Sequence, residues 1–546
     1  MAMRLTDLLL SDSKTSLQRL GLMALLAGAA STAILAVVNA AAQARSGDGG
    51  QALYVALYGL ALLTYVFSQR YVLVTTTDEI ERIIDERRRS LIRKLANCEL
   101  QGVEKIGHGA IFSAINSDTQ TISQTAGSLI LGVQAVMMIF WTAVYIATLS
   151  LEALALVVVV LLLAGRVYRK RTEQAGVELG RAHQEVSALH DMVEGLLAGF
   201  KEVKLSSGRA AELLRDAVAV SRRTAFYRSL AQRALGANFV FSQAAIYFLL
   251  GALVFILPVL SATFAGITVK VLTAVLFLVG PVSGVISAAP QITVAEAAAE
   301  NLLKLEQLFD ENVEQGMAGA APAAGRLDYG RFETIQLRHL LFSRGEGAER
   351  FTVGPIDLCL RRGETVFITG GNGSGKTTFV KMLTGLYRAD SGDILVDDRL
   401  VTRADMQDYR DMYGAVFSDF HLFQTLYGVA EIDQARAATL IDEMEVEDKV
   451  RLDGRRFSSV DLSTGQRKRL ALVAAQLEDR AIVVLDEWAA DQDPHFRAKF
   501  YQILLPRLRA AGVTVIAITH DDKYFHHADR RLHLEDGRIV SQAGAT

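Results

Sequence analysis

The chain has 546 residues, too many for one hydrophobic core, so at least two domains are expected. Hydrophobic residues make up 51% and prolines number 7, which points to long helices in lipid rather than to a purely soluble protein. The formal net charge of −3 says nothing about nucleic acid, and the sequence has no basic stripe interleaved with aromatics; the distant pair Cys98 and Cys359 reads as two inert thiols rather than a disulfide framework.

From the start of the chain, six apolar stretches are long enough to cross a bilayer, the shorter ones with help from adjoining residues: Leu20–Ala41, Ala52–Phe67, Ala126–Thr148, Leu151–Gly165, Ala234–Leu257 and Ile267–Ile286. Ala42-Gln43-Ala44 after the first resembles a signal-peptidase site. The apolar run before it exceeds a signal-peptide core, so a retained helix is expected. Basic residues crowd the second connection (Arg70, Arg82, Arg87, Arg88, Arg89, Arg93, Lys94, Lys105) and the fourth (Arg166, Arg169, Lys170, Arg171, Arg181, Lys201, Lys204, Arg222, Arg223). The other connections carry almost none, so both long loops and both termini are expected in the cytoplasm.

Those loops mix charges at helical spacing, as in Asp78-Glu79-Ile80-Glu81-Arg82, so spans two to five should continue as helices beyond the membrane. Charges inside the spans are nearly absent: Glu152 and Lys270 lie near ends, where snorkelling is cheap. That argues against an ion-coupled secondary transporter. Asn39, Gln134, Trp141, Tyr145, Ser242, Gln243 and Tyr247 either line a cavity or make helix–helix hydrogen bonds. Gly280-Pro281 and Pro290 mark a kink or hinge.

The small, uncharged stretch Gly316–Gly325 marks a linker. We expect a transmembrane domain over 1–313, a linker over 314–328 and an α/β domain over 329–546.

Within that last part stands Gly370-Gly371-Asn372-Gly373-Ser374-Gly375-Lys376-Thr377-Thr378, the P-loop pattern G-x-x-x-x-G-K-[ST] between a strand-like run and a helix-like run. Glycines let the backbone curl its N–H groups around phosphates, and the following helix points its positive end at them. Lys376 fits the β- and γ-phosphates of ATP, and the Thr377 hydroxyl fits Mg²⁺. Ala481-Ile482-Val483-Val484-Leu485 reads as a doubly buried parallel strand delivering Asp486 and Glu487 to the same sheet edge. Asp486 fits a Mg²⁺-associated carboxylate and Glu487 a base that polarises the attacking water. Val513–Ile518 delivers His520 to that edge, toward the γ-phosphate.

Leu462-Ser463-Thr464-Gly465-Gln466-Arg467-Lys468-Arg469-Leu470 resembles the signature motif of ABC transporters, with Thr464 where glycine is usual. Together with the P-loop, Asp486-Glu487, Asp493 and His520, the six-span half followed by one such domain resembles an ABC half-exporter over nearly the whole chain. More narrowly, Gly371–Lys376, Phe417-Ser418-Asp419-Phe420-His421-Leu422-Phe423 and Leu462–Arg469 resemble bacterial cyclic-peptide exporters, a group that includes exporters of pyoverdine precursors, syringomycin-type lipopeptides and a lasso-peptide microcin.

The resemblance implies an α-helical six-span exporter domain fused to a P-loop ATPase, in a homodimer in the bacterial inner membrane. Ser463 and Gly465, with Gln466 beside them, would contact ATP held by the other subunit, and Asp493 would lie in the loop linking the two sites. Gly107–Asn116 and Val203–Gly208 would be coupling helices. Two departures stand out: Ser418 occupies the position of a Mg²⁺-sensing glutamine, and Arg344 that of an adenine-stacking aromatic; a guanidinium can itself stack on a base, so either Arg344 or Phe342 is expected to take that role. The resemblance implies ATP-driven export of a peptide, cyclic or acylated, from cytoplasm to periplasm. A lipid or multidrug flippase, an exporter-fold siderophore importer, and an ATP-gated channel or slowly hydrolysing regulatory subunit remain open alternatives.

Overall fold

A computed structural model describes residues 14–43, 51–256, 267–312, 331–345, 350–429 and 431–544. The expected linker 314–328 and the whole connection Pro258–Gly266 lie outside these residues. The chain divides into two compact units, one of Met1–Arg93 with His108–Gln307, the other of Lys94–Gly107 with Leu308–Thr546.

Among the described residues, six helices are long and apolar enough to cross a membrane. They are α1 (Lys14–Gln43), α2 (Gln51–Ala96), α3 (His108–Leu149), α4 (Leu151–Ala198), α5 (Ser207–Ile256) and α6 (Thr268–Glu311). They match the six apolar stretches read from the sequence. At 1.5 Å per residue the 46 residues of α2 span about 70 Å, more than twice a ~30 Å hydrocarbon layer. The charged run Asp78–Arg89 falls on that surplus length. Ser150 alone separates α3 from α4; its extended backbone and its side chain, which accepts from the Ala153 amide at 3.1 Å, start α4. Ser206 starts α5 in the same way, through the Arg209 amide.

The polar residues of the spans mostly join helices. Asn39 donates to the Tyr145 hydroxyl at 3.2 Å and accepts from Thr273 at 2.8 Å. Gln69 donates to Gln134 at 2.9 Å, and Gln243 to Ser283 at 3.0 Å. Ser242 instead lines a cavity of about 260 Å³ whose wall also includes Ile139, Val160, Tyr168, Ile246 and Val282. Helix α6 continues through Pro281 and Pro290.

Among its described residues the second unit carries two large sheets and one two-stranded ribbon, Leu452–Asp453 with Arg456–Phe457. An antiparallel sheet has the order β2-β1-β4-β5, from β1 (Thr334–Arg344), β2 (Phe351–Arg361), β4 (Ser391–Val396) and β5 (Arg399–Leu400). The central six-stranded sheet contains β3 (Thr365–Gly370), β6 (Tyr413–Val416), β7 (Ile482–Asp486), β8 (Thr514–Ile518), β9 (Arg530–Glu535) and β10 (Arg538–Gly544). Its order is β10-β9-β3-β8-β7-β6, with every pairing parallel except β10 with β9. All five residues of β7 and of β8 are buried, which is why both read as unbroken apolar runs. Cys98 and Cys359 are not joined in a disulfide.

Candidate functional site at the carboxyl edge of the parallel sheet

Parallel register places three strand ends side by side. Ile518 of β8 pairs with both Asp486 of β7 and Ile368 of β3. Gly370, Asp486-Glu487 and Thr519-His520 therefore leave the sheet at one edge, where α/β sheets bind ligands.

The loop after β3 requires its glycines. Gly370, Gly373 and Gly375 have φ of 144°, 78° and 95°. A Cβ on Gly370 would stand 2.2 Å from the Leu534 carbonyl oxygen. Helix α7 (Lys376–Leu383) follows directly. The buried Lys376 donates its ammonium to the Gly370 and Gly371 carbonyls, at 3.1 and 2.8 Å. These are weak neutral acceptors for a buried cation, and the loop can exchange them for phosphate oxygens. The Ser374 hydroxyl is buried with no hydrogen-bond partner.

Asp486 is 1% exposed. Its Oδ2 accepts from both Thr377 and Ser418 at 3.2 Å, while its Oδ1 is buried with no partner. Burial pushes this carboxyl above its ordinary range against the pull of the two hydroxyls. An orphaned carboxylate oxygen flanked by two hydroxyls fits a hard divalent cation, so the donor set suits Mg²⁺. Ser418 thus reaches the same carboxylate that the sequence assigned to the metal.

Glu487 adopts a left-handed backbone, φ 49°, held by its amide bond to the Ile518 carbonyl at 3.1 Å. Its Oε1 lies 3.4 Å from His520 Nε2, and both side chains are partly open to solvent. Lys468, unremarked in the sequence, holds this turn from behind. Its buried ammonium donates to the Glu487 carbonyl at 2.9 Å and pairs with Asp491 at 2.7 Å. Trp488 in turn donates to the Lys468 carbonyl at 2.7 Å.

The signature segment opens helix α8 (Thr464–Leu477). Ser463 accepts from the Gln466 amide, and the Gln466 side chain accepts from the Ser463 amide, a reciprocal cap. Gln466 also accepts from Lys449 at 3.3 Å, so its side chain is engaged within its own chain. Gly465 packs so tightly that a Cβ would stand 2.8 Å from the Asp491 carbonyl oxygen. Asp493 caps the helix Pro494–Lys499 through the Phe496 amide and pairs with Arg469 at 2.7 Å.

Of the two candidates for the base, Arg344 is open, with 65% of its side chain exposed. Phe342 is 6% exposed and packs on Tyr387 with ring centroids 5.1 Å apart. It belongs to the core, which rules it out as the alternative to Arg344. A further cluster was not legible in the sequence. Glu104, in the short helix Leu100–Ile106, accepts from Tyr387 at 2.7 Å and from Lys381 at 3.2 Å, and lies 3.6 Å from Arg344. Burial alone would raise the Glu104 carboxyl, but the Tyr387 hydroxyl, Lys381 and Arg344 hold it below its ordinary range. The element packed into this unit is therefore Leu100–Ile106, just before the expected Gly107–Asn116.

A family profile described as "ABC transporter" matches residues 353–490. Over 531 residues, 95% of this chain and 93% of the relative, the sequence is 34% identical to the ATP-binding protein SyrD of Pseudomonas syringae pv. syringae. The chain belongs to the ABC transporter family. It is also 28% identical over 507 residues, 89% of this chain and 82% of the relative, to the ATP-dependent lipid A-core flippase of Burkholderia orbicola strain AU 1054. The fold matches a solved structure of a bacterial Atm1-family ABC exporter with ATP bound, with a TM-score of 0.77 at 18% identity, covering 97% of this chain and 96% of that one. This ABC half-exporter binds ATP and couples its hydrolysis to transport. It is a multi-pass membrane protein with a cytoplasmic ATPase domain.

Proposed function

We propose that this half-exporter works as a homodimer in the bacterial inner membrane and exports a peptide, cyclic or acylated, from cytoplasm to periplasm. A siderophore precursor or a lipopeptide is the expected kind of cargo. The observation that carries this reading is the resemblance of Gly371–Lys376, Phe417–Phe423 and Leu462–Arg469 to cyclic-peptide exporters. The 34% identity to SyrD supports it because it runs through the membrane spans as well as the ATPase part. The apolar cavity beside Ser242 and Tyr168 is suited to an acyl chain. The transmembrane domain is assigned to 1–313, the linker to 314–328 and the ATPase domain to 329–546.

At the sheet edge, the amides of Gly370–Thr378 cradle the triphosphate, and Lys376 leaves its two carbonyls for the β- and γ-phosphates. Asp486, Thr377 and Ser418 hold Mg²⁺, which supplies neutralisation of phosphate charge when bound. Glu487 accepts the proton of the attacking water, and His520, fixed beside it, donates toward the γ-phosphate. Ser463 and Gly465, at the start of α8, contact the ATP of the partner subunit, with Gln466 fixing their backbone. ATP bound between two ATPase domains draws them together, the spans open outward, and hydrolysis resets them.

The test is ATP-driven uptake of an acylated cyclic peptide into inside-out vesicles. Wild type should accumulate the peptide and Glu487→Gln should not. Peptide transport surviving in Glu487→Gln would remove hydrolysis as its motor. A lipid flippase is the second reading, favoured by the 28% identity to the lipid A-core flippase over 507 residues. Flipping of lipid A in the same vesicles, with no peptide uptake, would establish it instead.

A further inference from the structure

ATP must be held by its base as well as by its phosphates, and Arg344 stands where an aromatic platform is expected. We propose that Phe351 is that platform: the adenine stacks on the Phe351 ring, with the Arg344 guanidinium contacting the same base from the neighbouring strand. This rests on the reading that Gly370–Thr378 hold the triphosphate.

Three observations converge. Arg344 and Phe351 are directly paired residues of the antiparallel strands β1 and β2. Paired residues of such strands project their side chains to one face, so the guanidinium and the ring are neighbours. The Phe351 ring also touches the phosphate loop. Its Cε1 and Cζ lie 3.3 and 3.4 Å from where a Cβ on Gly375 would stand, and Gly375 is the residue immediately before Lys376. A group on the phosphate loop itself lies within the reach of a ribose from the phosphates. Finally, the ring is available. Phe351 is 37% exposed, whereas the nearby aromatics Phe342 and Tyr387 are 6% and 3% exposed and cover each other. The connection Gly345–Arg350 contains no aromatic residue.

The chemistry suits the pairing. A phenyl face offers stacking area to any base, and a planar guanidinium adds cation–π attraction and edge hydrogen bonds. Beneath the ring, Val353 packs against Gly375, so truncating Phe351 leaves an apolar floor rather than an open loop.

The experiment measures binding of MgATP and of magnesium tripolyphosphate, which lacks a base, to the full-length protein in lipid nanodiscs by titration calorimetry. Phe351→Ala should weaken ATP binding by about tenfold and leave tripolyphosphate binding unchanged. Phe351→Trp should return ATP affinity to within about twofold of wild type, because the π face is restored. Unaltered ATP affinity in Phe351→Ala would overturn the proposal. So would an equal loss for ATP and tripolyphosphate, which would reduce Phe351 to packing beneath Gly375. Lys376→Ala should weaken both ligands; full ATP affinity in that variant would instead refute the phosphate-loop reading, and this inference with it.

Discussion

His520 Nε2 lies 3.4 Å from Glu487 Oε1. Glu487 and His520 follow within two residues of adjacent parallel strands whose ends are locked by the Ile518–Asp486 pairing, so the sheet sets where both emerge. An acid and an imidazole at this distance can share the work of positioning water and phosphate. Glu487→Gln should lower kcat for ATP hydrolysis by at least about a hundredfold and His520→Ala by a comparable factor. ATP affinity should change by no more than about threefold in either, since neither residue lines the loop that holds the phosphates. Single-turnover hydrolysis beside equilibrium binding checks both numbers.

Asp486 has one oxygen satisfied twice and the other not at all. Asp486→Asn should raise the Mg²⁺ concentration for half-maximal activity by about ten- to a hundredfold. Ser418→Ala should raise it only about threefold, because Thr377 still donates to the same oxygen. Mg²⁺ titrations of the ATPase rate distinguish the two.

Gly465 has no room for a side chain on the face toward Asp491. Gly465→Ala must push the first turn of α8 away from the Asp491 carbonyl by a few tenths of an ångström. If Ser463 and Gly465 complete the partner subunit's ATP site, hydrolysis should fall more than about tenfold while ATP binding to a single chain is unchanged. Equal losses in both would place Gly465 in the support of its own chain only.

Glu104 ties the helix Leu100–Ile106 to Tyr387 and to Lys381 of the P-loop helix. Its folded carboxyl titrates below its unfolded value, so its contribution is present above about pH 4.3 and is lost as pH falls through the lower folded value. Hydrogen exchange of the Leu100–Ile106 amides, corrected for intrinsic rates, should show protection declining through that acid window in wild type but not in Glu104→Gln. At neutral pH the variant should exchange about fivefold faster there, the equivalent of about 1 kcal/mol.

The membrane spans were legible in the sequence because lipid demands unbroken apolar length, and the sheet edge because doubly buried strands carry no polar alternation. Asp486, Glu487 and His520 could be placed together because parallel strands in such sheets present their carboxyl ends on one side. Contacts that depend on tertiary approach could not be read. Glu104 and Lys381 are 277 positions apart, and nothing local to either marks the other. The choice between Arg344 and Phe342 stayed open for a related reason. Phe342 lies two residues from Arg344, hence on the same strand face, but Tyr387 covers it and leaves only the strand end open. Lys468 was hidden inside the signature motif, where its burial behind Glu487 leaves no trace in spacing.

The most direct test of the central claim is ATP hydrolysis by the purified protein in lipid, wild type beside Glu487→Gln, with an acylated cyclic peptide, lipid A and a hydrophobic drug each added in turn. We expect the peptide to stimulate turnover in wild type and to do nothing in Glu487→Gln. Turnover indifferent to every peptide but raised by lipid A or by the drug would contradict peptide export and make the protein a flippase on the same fold.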